Sequence, residues 1–145
     1  MSLNFKQLIK IQREFENVFD KTFFIIAEED KRRFPAFKDC DIIWVSNFGA
    51  DHPFALSLLE RCNEKFNIPF RLPTIDEAKA FFEFTDELDC VPHYYKVYSN
   101  ILTDEISKQG KSVKVVSKKW FTSKYITEVE RKNINLKSFT VIFVA

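Results

Sequence analysis

Four apolar side chains in succession, Ile42-Ile43-Trp44-Val45, constrain the fold more than any other feature of this chain. Alternate residues of a strand face opposite sides of a sheet, so an apolar run without a polar gap predicts a strand covered on both faces. The bulk for that cover is abundant, with 17 Phe among 145 residues and 46% hydrophobic side chains. Surface scaling for a 17.2 kDa chain gives roughly 17,000 Å² removed from water on folding, of about 25,000 Å² in the extended chain. That is enough for one interior and predicts a single domain spanning residues 1–145.

The same composition excludes several functional classes. Gly49 and Gly110 are the two glycines, too far apart to form a glycine-rich phosphate cradle, so turns must come from Asn, Asp and Ser. Lys and Arg total 22 against 21 Asp and Glu, a formal net charge of +1, which gives no global electrostatic drive toward nucleic acid or an anionic membrane. No uncharged apolar run reaches the roughly 18 residues of a membrane span, and the first residues carry charges throughout, so a soluble, cytoplasmic chain is expected. Cys40, Cys62 and Cys90 are odd in number and widely spaced, which reads as reduced thiols rather than a disulfide framework.

Periodicity places the elements. Residues 4–20 read as a helix with Phe5, Leu8, Phe15, Val18 and Phe19 on one face. Residues 22–27 read as a short strand, the charged stretch 28–33 as a loop, and 41–46 as the doubly buried strand. A second helix begins near Asp51, with Pro53 in its first turn and Ala55, Leu58, Leu59, Cys62 and Phe66 facing inward, and it ends at Asn67 and Pro69. Thr74-Ile75-Asp76-Glu77 is a capping box that opens a third helix, which hides Ala78, Phe81 and Phe82 and stops near Thr85. Beyond residue 90 the texture is β: 94–101, 113–116, 125–129 and 139–144 are strands, with 104–111 a polar loop. The expected fold class is α+β, with N-terminal helices packed on a mainly antiparallel sheet from the C-terminal half.

From Ile43 to Phe84 the chain resembles the formylglycine-generating-enzyme (sulfatase-modifying factor) family, a variant of the C-type lectin fold. The residues that carry the resemblance are Val45-Ser46, the helix bearing Ala55, and Phe70-Arg71-Leu72-Pro73-Thr74-Ile75-Asp76-Glu77. The resemblance implies a C-type-lectin-like architecture. It does not imply the family's chemistry, because the Gly-rich and Trp-rich C-terminal half and its paired copper-carrying cysteines have no counterpart here.

Each candidate site also has a structural role open to it. Arg71 and Glu77 read as structural, Glu77 closing the capping box while Arg71 reaches a nearby carboxylate to pin the start of the helix. Cys90 and His93 have metal-compatible spacing, but two ligands do not make a site, and a third would have to come from Cys40 or His52. No metal and no cofactor are therefore expected. Asp51-His52 beside Ser46 lacks the spacing and the elbow of a nucleophile-base pair. The best functional lead is an aromatic tract with interleaved lysines, from which Tyr94, Tyr95, Trp120 and Tyr125 are the expected ligand contacts. The functional expectation is a non-catalytic module that binds a protein or a small ligand, with self-association as a further expectation. The alternative is a small enzyme whose site is assembled around Cys90, His93 and Asp51.

Overall fold

The computed structural model describes residues 6, 23–49, 52–86, 98–119, 124–131 and 140–145. These form an α+β arrangement in which one six-stranded mixed sheet carries helices on both faces. The elements in chain order are β1 (Phe23–Ile25), α1 (Glu28–Arg33), a 3-10 turn (Pro35–Phe37), β2 (Ile42–Gly49), α2 (His52–Phe66), α3 (Ile75–Asp86), β3 (Tyr98–Ile106), β4 (Ser112–Lys119), β5 (Tyr125–Glu130) and β6 (Thr140–Val144). The strand order is β1-β2-β6-β3-β4-β5. Every pairing is antiparallel except that of β3 with β6, so the last strand inserts between the two halves of the sheet.

Two expectations change here. The sheet is not drawn from the C-terminal half alone, because β1 and β2 form one of its ends. Nor is there one undivided interior: the sheet separates two apolar layers. Ile42 and Trp44 of β2 point toward α2, where they meet Ala55, Cys62, Leu102, Val113, Val115, Val141 and Phe143. Ile43 and Val45 point the other way, toward Phe34, Phe37, Ala78, Phe81, Phe82, Ile101, Val116, Ile142 and Val144. The physical cause is the strand's period of two acting on an unbroken apolar run, which demands a partner layer on each side. Across β2 and β6, Trp44 and Phe143 are register partners and stack at 5.0 Å, and on the opposite face Phe34, Phe37 and Phe84 pack ring against ring at 5.9 to 6.1 Å. Burying each such ring contributes about 1.5–3 kcal/mol.

The charged stretch 28–33, expected as a loop, is α1. Glu28, Glu29 and Asp30 occupy its first turn and Lys31, Arg32 and Arg33 its last, so its charges match the helix dipole from end to end. The Asp30 carboxylate also accepts the Ala27 amide at 3.2 Å. Helix α2 ends as the sequence indicates, with Asn67 in the left-handed region at φ 51°. The Asn63 side chain then clamps the backbone of Phe70 through two hydrogen bonds of 2.8 and 3.1 Å, which turns the chain back along the sheet. Strand β3 runs on to Ile106 through a bulge beyond Leu102, so part of the expected loop is strand. Of the expected helix at 4–20, Lys6 alone lies within the described residues.

Candidate functional site

Arg71, Glu77 and Cys40 form the most tightly connected polar cluster among the described residues. Arg71 exchanges backbone hydrogen bonds of 2.9 and 3.0 Å with Val144, so its position is fixed to the end of β6. From there its guanidinium holds both carboxylate oxygens of Glu77, Nη1 to Oε1 at 2.6 Å and Nη2 to Oε2 at 2.9 Å. Glu77 also accepts the Thr74 amide at 2.8 Å, and its own amide donates to Thr74 Oγ1 at 3.1 Å, completing the capping box. The Cys40 thiol donates to Oε2 at 2.8 Å from 37 residues away. Glu77 is 3% exposed.

The electrostatics of this cluster are those of a structural pin. Burial opposes the Glu77 charge, but hydrogen bonds from Arg71, Cys40 and the Thr74 amide outweigh it and hold the carboxyl below its usual range. Burial and the Glu77 carboxylate push the Cys40 thiol up to about 12, and burial pushes Cys62 up to about 11, so neither is a nucleophile near neutral pH. The structural reading of Arg71 and Glu77 holds, with Glu77 itself the carboxylate that Arg71 reaches. The part played by Cys40 had no local signal in the sequence.

A second polar junction joins the start of α2 to the end of β5. His52, 1% exposed, accepts a hydrogen bond at Nδ1 from Arg131 Nε at 2.9 Å, and the His52 amide donates to the Arg131 carbonyl at 3.1 Å. Arg131 Nη1 donates to the Gly110 carbonyl at 2.9 Å. Gly110 sits at φ 70°, the left-handed conformation that its turn between β3 and β4 requires. A cleft of about 350 Å³ lined by Gly110, Lys111, Glu130 and Arg131 opens beside this junction. His52 is committed to Arg131 and lies at the α2 face, whereas Cys40 packs in the layer across the sheet. Among the described residues no group of three or more His, Cys, Asp or Glu side chains could hold a metal ion. Cys90, His93 and Asp51 lie outside the described residues.

Of the four expected ligand contacts, Tyr125 is described; Tyr94, Tyr95 and Trp120 lie outside the described residues. Tyr125 opens β5, the terminal strand of the sheet, and is 46% exposed. Its neighbour Ile126, which sequence reasoning missed, is 42% exposed. Tyr125 pairs with Ser117 and Ile126 with Val116, so the two project from opposite faces of the strand. Val129 is the one β5 residue that is not exposed, and it packs on the α2-side layer. The phase of the ladder follows from the Arg131 amide, which donates to the Lys111 carbonyl at 2.9 Å in register with the strand pairs. Antiparallel partners alternate between bonded and unbonded pairs, so Tyr125, Thr127 and Val129 turn their backbone groups toward β4. Ile126, Glu128 and Glu130 therefore turn theirs outward.

Comparison of the chain with protein-family models, with curated proteins and with solved structures finds no match. The fold is thus that of an α+β protein with helices on both faces of a mixed sheet and a largely exposed terminal strand, β5.

Proposed function

We propose that this protein is a non-catalytic interaction module whose binding element is the edge strand β5. The observation that carries this reading is the exposure of β5 on both faces, with a tyrosine and an isoleucine at its start and a row of backbone donors and acceptors along its outer side. An extended segment laid along such an edge gains main-chain hydrogen bonds, while alternate pockets read its side chains. The chemistry of the two buried clusters supports the same reading, because Glu77, Cys40 and His52 are each already engaged by partners within the fold.

Panning a random peptide library against the intact chain tests this function, with Glu128→Pro as the counter-screen. Proline at 128 removes an outward amide and leaves the ladder to β4 intact. Enrichment of extended, alternately apolar peptides that do not bind Glu128→Pro supports the reading. Peptides that bind both forms equally would place the binding surface elsewhere.

A further inference from the structure

We infer that the segment seated on β5 is the β5 strand of a second copy, the two pairing antiparallel about a two-fold axis centred on Thr127. This rests on the reading of β5 as the binding edge and names its occupant.

The geometry narrows the choice of register. Two edges can bond only where outward residues meet outward residues, which limits self-pairing to axes through a residue rather than between two. An axis at Glu128 sets Glu128 against its own copy, and like charges directly opposite destabilise a sheet. An axis at Ile126 pairs fewer described residues, 124 to 128, than an axis at Thr127, which pairs 124 to 130. An axis at Thr127 engages the whole strand: Thr127 faces itself, Ile126 faces Glu128, Tyr125 faces Val129 and Lys124 faces Glu130.

The side chains suit that register. On the α2 side of the sheet, Tyr125 of one copy covers Val129 of the other, extending the apolar layer in which Val129 already packs. Aromatic and β-branched residues are favourable cross-strand partners. On the α3 side, where Lys124 reaches Glu83 at 2.8 Å, a cation immediately precedes the strand and an anion, Glu130, ends it. Antiparallel self-pairing places each Lys124 opposite the other copy's Glu130, so one sequence is electrostatically complementary to itself. A net charge of +1 per chain adds almost no long-range repulsion.

Sedimentation velocity of the intact chain from micromolar to millimolar concentration tests the pairing. A reversible monomer–dimer equilibrium is expected for the wild type. Lys124→Glu sets like charges opposite each other at two places and should weaken the dimer about tenfold. Adding Glu130→Lys to that variant should restore most of the loss, and Glu128→Pro should abolish the dimer. Glu130 is exposed and Lys124 is half-buried beside Glu83, so an unchanged circular-dichroism spectrum and an unchanged urea midpoint together verify that both charge variants fold. A wild type that stays monomeric throughout overturns self-pairing; if it still captures library peptides that Glu128→Pro does not, the interaction function survives with a different occupant. A dimer indifferent to both the charge swap and the proline also overturns the proposal.

Discussion

Arg71 and Glu77 meet end to end, two guanidinium nitrogens on two carboxylate oxygens, with Glu77 buried and the Arg71 side chain 44% exposed. The asymmetry matters because solvent can rescue one partner and not the other. It also explains why a motif that begins as helix-capping chemistry ends by tying three parts of the sheet together. Arg71 is bridged to β6, Pro73 accepts the Asp104 amide from the β3 bulge at 2.9 Å, and Glu77 reaches Cys40 before β2.

Removing each partner should therefore cost differently. Arg71→Ala leaves a buried carboxylate without its counter-charge and is expected to destabilise by about 3 kcal/mol, the low end for broken buried pairs because Arg71 is partly solvated. Glu77→Gln keeps a hydrogen-bonding side chain of the same shape and leaves the cation in contact with water, so about 1–2 kcal/mol is expected. Urea unfolding of the two variants measures the difference, and equal losses would show that the charge asymmetry is unimportant.

The same pair sets an acid dependence. Glu77 is held below its usual range in the folded chain, so the unfolded chain binds more protons as the carboxylates titrate. Its contribution is complete above the ordinary glutamate range and is lost as the pH falls through the folded value. Arg71→Ala leaves burial, which raises the Glu77 carboxyl, so its stability should fall less steeply with acid than that of the wild type. Asp104 acts with the opposite sign, since burial raises its carboxyl against the pull of Arg71, but it lies at the surface. Urea midpoints between about pH 6 and pH 3 compare the two slopes.

Cys40 and Cys62 should resist alkylation in the native state. With thiols pushed up to about 12 and about 11 and no exposed sulfur, both are expected to react with iodoacetamide at pH 8 only after unfolding. Mass spectrometry of peptides spanning residues 40 and 62, with and without urea, reads this directly.

Arg131→Met should loosen the hairpin that joins β3 and β4. It removes the donors that satisfy His52 Nδ1 and the Gly110 carbonyl, for an expected loss of about 1–3 kcal/mol. Hydrogen exchange should quicken first at Gly110 and Ser112, whose amides bond to Ser107 within the same turn. Uniform acceleration across the sheet would argue for a global effect instead.

Tyr125→Ser and Ile126→Thr should leave stability within about 0.5 kcal/mol of the wild type when measured in dilute solution. Both side chains are nearly half exposed in the single chain and on opposite faces. A loss of several kcal/mol would place them in an interior and remove β5 as a binding edge.

Local chemistry was legible residue by residue. The unbroken run at 42–45 specified a strand covered twice over, Thr74 and Glu77 specified a capped helix start, and Asn67 specified a helix end, because each depends on groups within a turn or two of one another. The charge order of 28–33 held the signal for α1 as well, although a helix without a buried residue shows no apolar period to betray it. Tertiary structure alone decided which face of the sheet each apolar residue serves, that β6 lies between β2 and β3, that Cys40 meets Glu77, and that Arg131 meets His52 from 79 residues away. The reason is energetic: burial rewards any apolar strand alike and a backbone ladder reads no side chains, so partners distant in sequence are chosen by the packing of the whole.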